Sequence, residues 1–277
     1  MRNILSIDVE EYFQVENFKD VISYADWDRY ESRLQVGIDM ILKILSDYKA
    51  TITFFVLGWV AERHPDCIRK IAREGHEIGS HGYAHELIYK QTPDEFRSDL
   101  MRSLEILASI TGKPVVSYRA PCFSVTKRSL WALDILMECG IRNDSSIFPI
   151  YHDRYGIPGA NKLPHIVREK DGTQLKEFPI SIYELFGWHV PFSGGGYFRL
   201  LPVSLVIRMA QKLNAVGHPL IMYLHPWEFD KDQPRVSAGR LRTFRHYVNI
   251  KHTETKLRLL LDEIKVGAVE QAGKIEN

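Results

Sequence analysis

Glu77-Ile78-Gly79-Ser80-His81-Gly82-Tyr83-Ala84-His85 is the stretch on which the reading of the fold turns. Residues 77–80 read as a short strand, entered from a helix over 65–73 that Gly75 stops. The strand runs directly into two histidines. Four residues apart, His81 and His85 are expected on one face of a helical turn, with rings converging on one point. Imidazole is a preferred ligand for zinc and similar divalent ions, and the pair supplies two of the three protein ligands a catalytic zinc needs. The same spacing serves histidines that only cap or pack, so the rest of the chain has to decide.

Outward from this stretch, β-rich runs alternate with helical patterns. Residues 4–9 form an apolar strand ending in acid, and 51–57 a continuously apolar strand of the kind buried on both faces. Between them Leu34, Ile38, Ile41, Leu42 and Leu45 recur at helical spacing, which predicts an amphipathic helix over 32–48. Thr92, Pro93 and Glu95 form a capping-box signature opening a helix that Gly112 ends. A strand at 115–118 and a helix over 127–138 follow. Residues 141–202 read as irregular apart from a strand near 176–182. A helix at 204–215, a buried strand at 219–224 and a helix at 253–264 complete the chain. Strand–helix alternation with short connections means a mainly parallel α/β sheet, closed or nearly closed.

Composition excludes several classes. Thirty-six basic and thirty-five acidic residues leave a net charge of +1, with no block of like charge to suggest nucleic-acid binding. Three cysteines, Cys67, Cys122 and Cys139, have no CxxC spacing, which argues against a disulfide framework and fits a reducing compartment. No apolar run reaches the roughly 18 residues of a membrane span, and the N-terminus lacks a signal-peptide pattern. The expectation is a soluble, cytoplasmic, single-domain protein without a transmembrane segment.

In a parallel barrel, functional side chains collect at the C-terminal ends of the strands. Asp8 and Glu10 end the first strand on one face, roughly 6–7 Å apart along the chain. That spacing lets one bind a metal while the other reaches a metal-bound water; otherwise they cap the next segment, as Glu11 is expected to do. Arg119 follows the strand at 115–118 and precedes Pro121, placed either to hold a carboxylate or to face solvent. Asp144 begins Asp-Ser-Ser, which is also an ordinary turn sequence. His225 closes an apolar strand, and its pKa range suits proton transfer near neutrality.

Taken in order, Ser6-Ile7-Asp8-Val9-Glu10, Ser80 to His85, Tyr118-Arg119-Ala120-Pro121, Asp144-Ser145-Ser146 and Leu224-His225 resemble the motifs of the NodB-homology polysaccharide deacetylases, carbohydrate esterase family 4. The chain is most similar to the branch found with exopolysaccharide biosynthesis systems of the exosortase type. Gly194-Gly195-Gly196-Tyr197-Phe198-Arg199 and the segment after Pro226 look like that branch's own additions. The resemblance implies a distorted (β/α)7 barrel spanning residues 1–277 as one domain. Its catalytic core runs to about residue 230, and 231–277 pack on it as an extension. It implies metal-dependent removal of an N-acetyl group from a sugar in a polysaccharide or its precursor, with zinc the first choice of ion. Asp8 then matches the catalytic base, His81 and His85 the metal histidines, and Arg119 the arginine that orients the base. The Cys122 amide matches the oxyanion hole, and Asp144 with His225 the pair that protonates the leaving amine.

One departure stands out: the second of two adjacent aspartates, a metal ligand in the family, is Val9 here. Glu10 is its natural replacement, since it shares a face with Asp8. Tyr83, Phe123, Trp188, Tyr197 and Trp227 are candidate sugar-contacting aromatics that equally suit core or loop anchoring. Two rival readings remain at this point: a metal-independent amidase of the allantoinase-like kind, and a carbohydrate-binding protein without turnover.

Overall fold

The computed structural model describes residues 2–152, 155–185 and 187–272. β1 (Asn3–Val9) is buried along its whole length, as a strand of Ile4, Leu5, Ile7 and Val9 must be when both faces of a parallel sheet are covered. The stripe Leu34, Ile38, Ile41, Leu42 and Leu45 lies on the buried face of α1 (Leu34–Asp47), which returns the chain to β2 (Thr53–Val56). α2 (Gly58–Arg63) and α3 (Pro65–Arg73) lead to β3 (Glu77–Ser80). α4 (Pro93–Thr111) opens with the expected Thr92–Glu95 capping box and closes on Gly112 at φ 70°. β4 (Ser117–Tyr118), α5 (Ala132–Glu138) and β5 (Asn143–Asp144) follow.

Two hairpins come next: β6 (His165–Lys170) with β7 (Thr173–Glu177), and β8 (Ile182–Leu185) with β9 (Trp188–Pro191). The chain then runs through α6 (Gly195–Leu200) and α7 (Val203–Ala215) to β10 (Ile221–Leu224). α8 (Arg240–Tyr247), α9 (Thr253–Glu263), β11 (Val266–Gly267) and α10 (Val269–Ala272) end it.

Seven strands run parallel around a curl in the order β10-β1-β2-β3-β4-β5-β7, with β6 antiparallel on the outside of β7. The seam between β7 and β10 is closed by irregular chain. Ser181 N donates to Ile221 O at 3.0 Å, Tyr223 N donates to Ser193 O at 3.1 Å, and Gly194 bridges to Tyr223. This is the α/β curled sheet the sequence predicts. β10 and β11 both pair with β1, so the two ends of the chain share one sheet.

Residues 141–202 depart from the sequence reading. The expected strand at 176–182 is β7, shifted toward the N-terminus, because Asp171 (φ 51°) and Gly172 (φ 73°) make a tight left-handed turn that pairs it with β6. Asp-Gly between extended runs is the sequence signal of such a turn. The expected helix over 127–138 starts only at Ala132. Ahead of it, the Ser129 hydroxyl accepts from Thr126 N at 2.9 Å, a local bond that competes with helix.

Candidate active site

β1 delivers Asp8 and Glu10 to the C-terminal edge of the sheet, both almost fully buried. Glu11 turns away and caps α1, accepting from Arg33 N at 3.1 Å and from the Ser32 hydroxyl. Arg119 follows β4 and is fully buried. Its Nη1 donates to Asp8 Oδ1 at 2.7 Å and to the Ser6 hydroxyl at 2.6 Å, while Nε and Nη2 bond Ser145 O and Oγ. Asp8 thus sits in a buried ion pair whose cation has no freedom to turn away.

His81 and His85 leave β3 beside this pair, with ring centroids 5.4 Å apart. They do not share a helical turn, which corrects the sequence expectation. Gly82 takes φ 75° and His85 φ 54°, both left-handed. The Asp99 carboxylate of α4 accepts from Tyr83 N at 2.8 Å and Ala84 N at 3.2 Å, filling the bend's hydrogen bonds in place of a helix. A Cβ on Gly82 would lie 2.9 Å from Asp99 Oδ2, so the glycine serves both the dihedral and the approach. The rings converge nonetheless. One ligand atom from each of Glu10, His81 and His85 lies within 4.8 Å of the other two.

This donor set fits a divalent ion. The His81 Nδ1–H donates to Arg119 O at 2.8 Å, which leaves Nε2 as the ligand atom. Burial, then His85, hold the His81 pKa down to about 3, so the ring is neutral as a ligand must be. Burial pushes the Glu10 carboxyl up, but the opposing pulls of His85 and His225 win and keep it below its usual value. Glu10 Oε2 lies 3.0 Å from His85 Nε2 without hydrogen-bond alignment, a buried oxygen still lacking a hydrogen bond. A cation among these three residues would satisfy it.

His225 follows β10 and faces Glu10, with Nε2 3.4 Å from Glu10 Oε1. Its other nitrogen, Nδ1, donates to Glu228 Oε1 at 2.8 Å. Burial disfavours a charged ring here, but Glu10 and then Glu228 outweigh it and lift the pKa to about 9. Glu228 is fully buried beside Arg199, whose Nε lies 3.8 Å from Oε2. The close approach of α6 that brings Arg199 there explains the glycine at 195. A Cβ on Gly195 would fall 1.9 Å from Glu228 Oε1. Trp227 stacks between His225 (5.1 Å, 20°) and His246 (4.1 Å, 15°), and its Nε1 donates to Glu10 Oε1 at 3.3 Å.

Asp144 is not the partner of His225, contrary to expectation. It points instead into the β5–β7 seam. There Glu177 is its register partner, Asp144 Oδ2 and Glu177 Oε2 are both buried without a hydrogen bond, and Asp144 Oδ1 accepts from the Ser146 hydroxyl. Glu228 and Arg199 are the residues the sequence reading missed. The signal for Glu228 is local, a carboxylate three residues after the histidine in His225-Pro226-Trp227-Glu228.

Cys122 takes φ 51° and Phe123 φ 52° in the turn after Pro121. Among the described residues no hydrogen bond uses the Cys122 N–H, and both residues line a cavity of about 170 Å³ with Asp8, Glu10, His81 and His225. Trp227 lines it as well, and Tyr223 is a further aromatic wall. The other expected aromatics stand elsewhere. Tyr83 turns into the helical layer, donating to Glu62 Oε2 at 2.7 Å beneath Arg102. Trp188 is 77% exposed on β9, and Tyr197 is on α6; neither lines the cavity.

The geometry is a carboxylate held by arginine, a three-donor metal cradle, a free amide at a left-handed turn and a carboxylate-held histidine. Residues 28–143 match the polysaccharide deacetylase family, and residues 145–274 match a domain of unknown function, DUF3473. A peptidoglycan deacetylase of Helicobacter pylori is 28% identical over 162 residues, covering 54% of this chain and 54% of that protein. A peptidoglycan-N-acetylglucosamine deacetylase of Bacillus cereus is 36% identical over 95 residues, 34% of each chain. The chain thus aligns with about half, or less, of the length of these curated relatives. A solved structure from Mycobacterium smegmatis, provisionally named a polysaccharide deacetylase, superposes with a TM-score of 0.64 at 25% identity, covering 99% of this chain and 90% of that one. His225 and Glu228 come from the DUF3473 region, whereas His81, His85 and Arg119 come from the other. Over residues 28–143, the chain is thus similar to the polysaccharide deacetylase family.

Proposed function

We propose that the chain is a metal-dependent hydrolase that removes acetyl groups from N-acetylated amino sugars of a polysaccharide or its precursor. The observation that carries this is the Asp8–Arg119 ion pair set beside the Glu10, His81 and His85 donors, with His225 facing them. A divalent ion held by those donors would supply Lewis acidity at the acetyl carbonyl and lower the pKa of water. Imidazole and carboxylate ligands favour zinc.

The remaining steps belong to the chain. Asp8, fixed by Arg119, takes a proton from the attacking water. The Cys122 N–H donates to the oxygen that gains charge, a contribution typically worth about 3 kcal/mol. His225, held at Nδ1 by Glu228, gives its Nε2 proton to the nitrogen as the C–N bond breaks. Acetate and a free amino sugar result.

The motif resemblance supports a place in exopolysaccharide assembly. Three free cysteines support a reducing, cytoplasmic setting. The test is acetate release from a panel of N-acetylated oligosaccharides, with and without chelator. Release abolished by chelator and restored by zinc is expected. Undiminished release in metal-free protein would favour a metal-independent amidase, and sugar binding without release a binding protein.

A further inference from the structure

Beside the catalytic cavity lies a second one, of about 360 Å³, that the proposed chemistry does not use. The two share Glu16, Asn17, Cys122 and Tyr155 as common wall. Its far side is α8, which presents Arg242 and Arg245 one turn apart on one face. Arg242 is paired with Asp20. The Arg245 side chain is exposed to the cavity and has no acidic or carbonyl partner among the described residues. Among the described residues, the only carboxylate in the cavity wall is Glu16.

Arg199, the residue beside Glu228, fixes this helix. It donates to the carbonyls of Arg245 at 3.2 Å, His246 at 2.5 Å and Val248 at 2.9 Å. The opposite wall is aromatic, with Tyr155 and His152 stacked at 3.8 Å and 11°. Aromatic faces suit sugar rings, and a guanidinium fork suits a carboxylate or phosphate.

We propose that this cavity is a subsite for an anionic group, carboxylate or phosphate, on a sugar neighbouring the one that is deacetylated. The inference rests on the deacetylase reading and narrows its substrate to acidic polysaccharides or their phosphorylated precursors. Arg245 makes the charge-assisted contact, and Arg242 supports it from one turn away.

The test compares acetate release from neutral chitotetraose, from chitotetraose bearing one 6-O-phosphate, and from a hyaluronan tetrasaccharide, whose sugars alternate with carboxylates. Wild-type protein is expected to prefer one anionic substrate. The exposed Arg245→Gln change should lower kcat/KM for that substrate roughly tenfold, the scale of a charged hydrogen bond, and leave chitotetraose unchanged. The substrate that suffers more identifies carboxylate or phosphate as the group. Equal kcat/KM for neutral and charged substrates in the wild type, or equal losses in the variant, would overturn the subsite. Calorimetric binding of the same three oligosaccharides, repeated in Arg245→Gln, separates the two claims. A charge preference lost in the variant but without acetate release keeps the subsite and removes the deacetylase reading. Acetate release with no charge preference does the reverse.

Discussion

Two pairs of buried acids lie at the C-terminal edge of the sheet, on strands far apart in its order, and they behave as opposites. Asp8 and Glu10, at the end of β1, face Arg119, His81, His85 and His225, every one a cation or a potential donor. Asp144 and Glu177, on β5 and β7, face each other. Burial raises both members of the second pair. Burial alone lifts Asp144 to about 6, whereas burial and then the Asp144 charge lift Glu177 well above its usual value. Similar side chains at the same depth therefore take different tasks. In the proposed function the first pair binds an ion and accepts a proton, whereas the second holds a proton as structural glue.

The glue sits under the catalytic parts. Ser146, bonded to Asp144, also accepts from Ala120 N at 2.8 Å, and Ser145 holds Arg119. Ala120 leads directly to the Cys122 amide. The protonated pair thus braces the turn that aims both the arginine and that amide.

The comparison breaks most visibly if the two pairs prove interchangeable. Asp8→Asn is expected to cut kcat by about 10²–10⁴-fold, the range of a general base, while metal content measured by elemental analysis stays near wild type. Glu10→Gln should instead lower metal content, with part of the rate restored by excess zinc. Metal loss in Asp8→Asn with retention in Glu10→Gln would exchange their roles.

A smaller effect separates the two candidate partners of His225. Glu228→Gln should lower kcat roughly ten- to a hundredfold, the scale seen when the group orienting a functional histidine is lost, and shift the alkaline limb of the pH–rate profile downward. Asp144→Asn should leave that limb in place. A shifted limb in Asp144→Asn alone would return His225 to the partner the motif resemblance implies.

How legible this was in the sequence varied with the range of the forces involved. β1, α1 and α4 were readable because their signals are local, a buried apolar run, a helical stripe and a capping box. The ligand histidines were readable as a pair but not as a bend, since Asp99 arrives from sixteen residues away to bond Tyr83 N. Glu10 could be reached through strand alternation from Asp8. Glu228 could not be chosen over Asp144 without the geometry of β10 and α6, because both acids follow short motifs. Which one meets His225 depends on a glycine at 195 and an arginine at 199, far from either motif.

The smallest effect concerns stability and sharpens the contrast further. In the unfolded chain Asp144 and Glu177 ionise near 3.8 and 4.5, whereas folding raises both. The folded protein therefore binds more protons than the unfolded chain above about pH 4.5, and stability must fall as pH rises through the folded pKa values. Glu177→Gln keeps the size of the side chain and a neutral donor toward Asp144 while removing one of the two titrations. Urea unfolding of both proteins should give similar stability at pH 5. By pH 9 the variant should be clearly ahead, since each unit of raised pKa is worth about 1.4 kcal/mol. Unfolding curves whose separation does not change between pH 5 and pH 9 would mean that the pair is ionised throughout, and that Arg119 reaches beyond Asp8 to neutralise both.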